Sequence, residues 1–178
     1  MPISFSQKQR HVKRSIGLAT VASALVAALA LRWGPATRAV SLAERLAFGL
    51  CCDVWCAAVL ALAIGAVTFR RLTSPDAIDG QTSPGGATEI DLRVLQNTLE
   101  QLVLAASAHL AFVVVAPRRF LQVLPVMVGF WVAARLLFFV GYHRGDNARA
   151  FGFAATFIPS VGFLVFDLWC IVFGVDRG

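Results

Sequence analysis

Residues 46–71 read LAFGLCCDVWCAAVLALAIGAVTFRR, a run with one charged residue, Asp53, before it closes on Arg70 and Arg71. A helix needs about 20 apolar residues to cross the hydrocarbon core of a bilayer, and this run is long enough. Four other runs have similar length and composition: 16–33, 94–116, 120–142 and 151–174. Because helices satisfy their own backbone hydrogen bonds in lipid, the pattern predicts an all-α, multi-pass integral membrane protein with four or five transmembrane helices.

The composition separates this chain from soluble domains. It is 58% hydrophobic and 15% charged, with a mean hydropathy of +0.72, whereas soluble domains are about 45–50% apolar and about 25% charged. The net charge of +6 would suit a nucleic-acid partner, but the basic residues flank apolar runs and form no basic surface. We therefore expect no nucleic-acid partner and interpret the charge as a topology signal.

The first apolar run, 16–33, allows two interpretations. It follows a basic segment and contains Ala28-Leu29-Ala30, so it resembles a cleaved signal peptide, although its apolar core is long for one and favours a retained helix. The basic end stays in the cytoplasm in both cases. Nine Lys and Arg residues then lie inside and six outside, in agreement with the positive-inside rule.

The connections and the cysteines add four expectations. Residues 72–92 are rich in Ser, Thr, Pro, Gly and Asp and predict a flexible loop that ends in a capping box at 88–91. Pro117 predicts a tight hairpin between the third and fourth helices, and Pro159 predicts a kink in the last one. The cysteines (Cys51, Cys52, Cys56 and Cys170) lack zinc-ligand spacing, so we expect no metal site and small buried side chains instead.

Polar residues within the third and fourth runs lie on single helical faces. Arg93, Asn97 and Glu100 stand at positions i, i+4 and i+7 of the third run, and the fourth run has the same kind of face, formed by Arg135, Phe138 and Tyr142. Glu100 and Arg135 each lie seven residues from a boundary residue, which places both about 10 Å into the bilayer from the same side. Equal depth predicts that they pair with each other.

Three more arginines reach the same boundary: Arg70, Arg71 and Arg149. One interpretation is structural, with Glu100 and Arg135 as an interhelical pair and the other arginines as snorkelling anchors. The second is a binding ring for an anionic ligand, because guanidinium groups bind carboxylates bidentately and charges inside a membrane are costly. Glu100 would receive an ammonium group, and an arginine near a thiol would stabilise the thiolate. On the opposite side we expect Asp53, His109 and Asp167 to pair with one another or with Arg118 and Arg119.

These fragments resemble the MAPEG family, the membrane-associated proteins of eicosanoid and glutathione metabolism, over residues 46–174. The resemblance is carried by Arg70-Arg71, by Arg93, Asn97 and Glu100 at their spacing, and by Arg135, Phe138, Tyr142 and Arg149. The runs QNTLEQ and FVGYHRG also resemble the mattrin-like branch of that family with its bacterial members. The resemblance implies a left-handed four-helix bundle over 42–178 that assembles as a homotrimer, preceded by an extra N-terminal transmembrane helix in 1–41.

The same resemblance implies a ligand and roles. Glutathione would be the co-substrate, bound between neighbouring subunits near the cytoplasmic face. Its binding residues would come from Arg70, Arg93, Asn97, Glu100, Arg135 and Tyr142. Arg149 matches the arginine proposed to activate the thiol, and Arg71 one suggested to assist the second substrate. Two positions depart from the family pattern, since Phe138 replaces a Tyr or His and Gln101 a common aromatic residue.

Three functions fit these residues. The first is a glutathione-dependent transferase or peroxidase that acts on lipophilic molecules from the bilayer. The second is a non-catalytic MAPEG-fold protein with a role in ligand binding or assembly, and the third is a small transporter or channel subunit. The excess of arginine over lysine and the abundant alanine favour the cytoplasmic membrane of a GC-rich bacterium over an endomembrane.

Overall fold

The computed structural model describes residues 5–35, 37–39, 41–74, 85–144 and 148–174. Five long helices make up nearly all of this part of the chain: α1 (Phe5–Trp33), α2 (Leu42–Thr73), α3 (Ala87–Val115), α4 (Val123–Arg144) and α5 (Ala148–Phe173). Each contains a segment long and apolar enough to cross a membrane. The all-α membrane fold with an extra N-terminal helix is therefore confirmed.

The helices pack as a bundle of α2 to α5 with α1 laid against one side. α2 packs on α3 and α4, α5 packs on α3 and α4, and α1 packs on α5 and α4. Trp131, Phe112 and Leu124 lie in the core with almost no exposed surface, whereas many large apolar side chains such as Trp55 and Val172 face outward. An apolar exterior of this size is expected where lipid replaces water as the solvent.

Every helix begins at a position that the apolar runs alone did not predict, and α1 begins eleven residues before its run. The α2 helix starts at Leu42 behind Ser41, whose hydroxyl accepts from the Glu44 N–H while the Glu44 carboxylate accepts from the Ser41 N–H. This capping box satisfies free N–H groups at the first turn. The predicted capping box at 88–91 is wrong. The α3 helix begins behind Gly86, which has no side chain to form a cap, and the Asp91 carboxylate bonds to other partners described below.

The loop predicted at 72–92 is shorter than expected, since α2 runs to Thr73 and α3 starts at Ala87. Its centre, 75–84, lies outside the described residues. The link after α3 agrees with the prediction: Pro117 follows the helix end, and a 3-10 turn at Arg118–Phe120 leads into α4. Pro159 lies inside α5, which continues through it, and the kink there stays a prediction.

Two details fix how closely the helices approach. Arg45, counted above as an external basic residue, is buried and donates hydrogen bonds to the backbone carbonyls of Val113 (2.6 Å) and Ala116. It thereby satisfies carbonyl groups left free at the end of α3. Gly152 of α5 lies so close to α4 that an added Cβ would stand 2.6 Å from the Ala134 carbonyl oxygen and 2.8 Å from the Phe138 Cβ. Only glycine fits there without a shift of the helices.

Candidate functional site

A single cavity gathers most of the predicted site residues. We call it the inner cavity. It has a volume of about 1040 Å³ and lies between α1, α3, α4 and α5, at the end of the bundle predicted to face the cytoplasm. Its lining includes Arg93, Asn97, Glu100, Tyr142 and Arg149. The residues that the helical spacing placed on one face of α3 therefore meet the boundary residues of α4 and α5 in one space.

The α3 wall of the inner cavity already contains short polar contacts. The Arg93 guanidinium donates to the Glu89 carboxylate at 2.6 Å, and Glu89 also accepts from the Gly85 N–H at 2.5 Å. The Gln96 amide donates to the Glu100 carboxylate at 2.9 Å. With Arg93 paired to Glu89, the charges left for a ligand are one anion, Glu100, and one cation, Arg149. The wall is thus matched to a molecule that carries charges of both signs.

Arg135 lies beneath the inner cavity and has no exposed surface. Its guanidinium donates to the Asn97 amide oxygen at 2.9 Å and to the hydroxyls of Thr98 (3.1 Å) and Thr156 (3.4 Å). The predicted Glu100–Arg135 pair is wrong, since Glu100 is exposed and bonded to Gln96 while Arg135 bonds to Asn97. The Glu100 and Arg135 side chains point in different directions around their helices.

The bond from Arg135 fixes the orientation of Asn97. A guanidinium only donates hydrogen bonds, so the amide oxygen of Asn97 must face it. The amide N–H groups of Asn97, which also lines the inner cavity, are left for a ligand. Arg135 therefore acts on the cavity through its neighbour. It is a positioning residue, whereas the sequence placed it among the binding residues.

Aromatic rings form the α4 side of the inner cavity. The Phe138 and Tyr142 rings pack with their centroids 5.3 Å apart. The Arg135 guanidinium carbon lies 4.1 Å from the Phe138 centroid, and that of Arg149 lies 5.4 Å from the Tyr142 centroid. Both are cation–π contacts, which hold each arginine without neutralising it. Arg149 is exposed and keeps its N–H donors for other partners.

Arg70 and Arg71 do not line the inner cavity of this chain. Arg70 forms an ion pair with Asp91, which is also 2.7 Å from the His143 Nε2. The Asp91 side chain is 2% exposed, so this cluster ties α2, α3 and α4 together at the inner end of the bundle. Arg71 is exposed. Sequence reasoning missed Asp91 and His143, because a carboxylate in the first turn of a helix is also typical of a cap.

The outer half of the bundle has its own buried polar groups. Asp53 and His109 form a contact of 2.6 Å between the carboxylate and Nδ1, as one of the predicted alternatives had it. Asp167 is 2% exposed, and neither carboxylate oxygen has a hydrogen-bond partner among the described residues. Arg118 and Arg119 are exposed, with Arg119 over the Phe120 ring at 4.8 Å. We call Asp53, His109 and Asp167 the outer cluster because all three are buried side chains of the outer half, although only Asp53 and His109 contact each other.

Comparison with known proteins identifies the bundle. The sequence model of the MAPEG family matches residues 48–169, which covers most of α2 and α5 and all of α3 and α4. The chain belongs to the MAPEG family. The matched region excludes α1, so this helix is an addition to the MAPEG portion. It also includes every predicted site residue, from Arg70 to Arg149.

A curated relative supports the same assignment. The chain is similar to transmembrane protein 79 of Mus musculus, with 24% identity over 135 residues, covering 75% of this chain and 34% of that protein. The chain thus spans about a third of the length of the curated relative it matches. No solved structure shows significant similarity to it. Family membership therefore establishes a multi-pass membrane protein, and its chemistry has to be argued from the site.

Proposed function

We propose that this MAPEG protein binds glutathione in the inner cavity and uses it to conjugate lipophilic electrophiles or to reduce lipophilic hydroperoxides. The observation that carries the proposal is the convergence of Glu100, Arg149 and the Asn97 amide on one cavity at the cytoplasmic end of the bundle. Glutathione offers an ammonium group, two carboxylates and peptide groups. Glu100 is complementary to the ammonium group, the Asn97 amide to a carboxylate or peptide carbonyl, and Arg149 to an anionic group of the ligand.

The residues around the cavity would divide the work as follows. Glu100 would receive the ammonium group, and Asn97 would donate to a peptide carbonyl or carboxylate. Arg149 lies over the Tyr142 ring at 5.4 Å with its N–H donors unshielded, where it can stabilise a thiolate and so favour loss of the thiol proton near neutral pH. In conjugation, the thiolate attacks the electrophile, and a carbon–sulfur bond forms as the leaving group departs with its electron pair. In hydroperoxide reduction, the thiolate breaks the O–O bond and releases the alcohol, and a second glutathione then forms the disulfide and releases water, so that two glutathione molecules supply the two electrons.

Two family roles need a second subunit. Arg70 and Arg71 lie on α2, outside the inner cavity of their own chain, and Arg70 is already paired with Asp91. In a homotrimer, the exposed Arg71 of one subunit would reach the cavity of the next and assist the second substrate there. We propose this assembly and the cytoplasmic membrane of a bacterium as its location, with the sulfur chemistry on the inner face.

A non-catalytic MAPEG protein is the second candidate, and Phe138 favours it. Its ring lines the inner cavity and covers the Arg135 guanidinium at 4.1 Å, where a Tyr or His would offer a hydrogen bond to the ligand. Arg93 favours it as well, because a ligand carboxylate would have to displace Glu89 at 2.6 Å. Both features would lower the affinity for glutathione without closing the cavity.

One titration separates the candidates. The protein is purified in detergent and glutathione is added while the ultraviolet absorbance of the thiolate is followed and binding is measured by calorimetry. The enzyme predicts thiolate formation that disappears in Arg149→Ala. The matched control is Arg144→Ala, which removes another exposed arginine from the same boundary that does not line the cavity, and it should leave the thiolate signal unchanged. Saturable binding without thiolate supports the non-catalytic protein. Absence of binding refutes the enzyme and any non-catalytic role that depends on glutathione.

A further inference from the structure

The face of α1 that packs on the bundle changes character along its length. From Ala19 outward it carries small side chains at the contact with α5 and α4, with Ala19, Ser23 and Ala30 at 0%, 6% and 2% exposure. Small residues let membrane helices approach closely. One and two turns toward the inner end of the bundle, the same face carries Ile16 and Val12, which are 45% and 44% exposed. The close packing of α1 therefore stops where the inner cavity begins.

Val12 and Ile16 are part of the inner cavity lining. They stand one helical turn apart, at i and i+4, and so present one continuous apolar strip, which we call the α1 wall. The helix is held in place farther out, where the Gln122 amide donates to the Leu31 carbonyl at 2.7 Å. The wall is thus a surface of the cavity built by a helix that lies outside the matched MAPEG region.

The cavity is polar on one side and apolar on the other. Arg93, Asn97 and Glu100 come from α3, while the α1 wall, together with Phe153 of α5, offers only hydrocarbon. The inner cavity separates α1 from this stretch of α3, and both helices carry outward-facing apolar side chains such as Leu18 (64% exposed) and Val103 (59%). A ligand lying across this cleft would meet charges on one flank and an apolar strip continuous with the lipid-facing surface on the other.

From this geometry we infer that the α1 wall binds the lipophilic half of the ligand and selects for it. The inference rests on the proposed function and names its substrate class: an alkyl or aryl chain attached to, or attacked by, the glutathione sulfur, and lodged against Val12 and Ile16. In this reading α1 is a specificity-determining element that the MAPEG bundle alone does not supply. Its side chains do not touch the charged half of the ligand.

The inference is tested by comparing glutathione with S-octylglutathione, which adds an alkyl chain at the sulfur. Dissociation constants for both are measured by calorimetry on the full chain in detergent. The ratio of the two constants isolates the contribution of the chain. In the Val12→Ala/Ile16→Ala double variant this ratio should fall by roughly tenfold, because several methyl and methylene contacts with the chain are lost. The constant for glutathione itself should change less than twofold. Both residues are nearly half exposed, so the helix stays packed.

The matched control is Val21→Ala/Leu25→Ala, which removes apolar side chains of 57% and 58% exposure from positions of α1 outside the inner cavity. It corrects for partition of the octyl chain into detergent and should leave the ratio unchanged. If the cavity variant and the control give the same ratio of the two dissociation constants, the inference about the α1 wall is refuted while the proposed function stands. If neither ligand binds the unmodified protein, the proposed function fails and the inference with it.

Discussion

The two ends of this bundle bury polar side chains in different ways. At the inner end, Asn97, Glu100 and Arg149 surround a cavity of about 1040 Å³. At the outer end, Asp53 and His109 are closed against each other at 2.6 Å, with the His109 ring packed on Phe163. Charge inside a membrane is costly wherever it lies, so both sets stand out in the sequence, although only pairing is predicted for the outer set. Polar side chains within a membrane thus indicate a candidate site, but only those that border open space can bind a ligand.

The two ends also differ in the partners of their polar groups. The outer groups face protein, and the fit between them leaves the second Asp53 oxygen without a hydrogen bond among the described residues. The inner groups have one protein partner each and retain further donors or acceptors on the cavity side. We expect substitutions at the outer end to change stability and substitutions at the inner end to change binding.

The largest effect should come from breaking the outer pair. His109→Leu leaves the Asp53 carboxylate buried without its partner, at a cost of about 3–5 kcal/mol in the free energy of unfolding. Unfolding in mixed micelles measures this loss, and adding Asp53→Val should recover part of it. Glutathione affinity of the folded fraction should stay within about twofold, because the pair lies far from the inner cavity. A weaker affinity by a factor of ten or more would show that the outer cluster shares in binding.

For Asn97→Leu we expect a smaller loss of stability than for His109→Leu, together with a large loss of glutathione affinity. Arg135 loses its amide acceptor and keeps only two hydroxyls, which should cost about 1–3 kcal/mol. Glutathione affinity should fall more than tenfold with the loss of the amide donors. Asn97→Asp is the control: its carboxylate accepts from Arg135 and restores stability, but it cannot donate to a ligand. If both variants bind glutathione normally, Asn97 belongs with the structural outer residues.

The smallest effect on stability is expected for Glu100→Gln. The side chain is exposed to the cavity and bonded to Gln96 at 2.9 Å, so the free energy of unfolding should change by less than about 0.5 kcal/mol. Glutathione affinity should fall roughly tenfold, since the ligand ammonium loses its ion pair. Combined with Arg135→Met, the two stability changes should add within about 0.5 kcal/mol. Strong coupling between the two stability changes would instead support the direct Glu100–Arg135 pair that the sequence predicts.

The sequence predicted the five helices well. Hydropathy finds each span because the hydrocarbon thickness dictates its length, although α1, α2 and α3 extend beyond the apolar runs into polar ends. The same pattern places Arg93, Asn97 and Glu100 on one face, since helical periodicity does not depend on the neighbours. Extension of α3 to Ala87 also explains Glu89, which reaches Arg93 one turn later at 2.6 Å.

What sequence reasoning lacked was the rotation of each helix about its axis. Depth follows from the rise per residue, so Glu100 and Arg135 were placed at one level. Which of Asn97 and Glu100 meets Arg135 depends on how α3 and α4 turn toward each other. The same missing angle hid the Asp91 cluster, because a carboxylate in a first turn serves a cap as readily as a neighbouring helix. It hid the α1 wall as well, since Val12 and Ile16 look like ordinary lipid-facing residues.

Gly152 gives the inner cavity an unusual sensitivity. A methyl group at this position would press on the Ala134 carbonyl and on Phe138, and α5 would have to move away from α4. Arg149 lies three residues earlier on the same helix and would be carried along, away from the Tyr142 ring. Gly152→Ala, which elsewhere in a helix favours folding, would thus alter the spacing of two ligand-facing groups from a point outside the cavity. Natural variation at 152 should be interpreted as variation of the site.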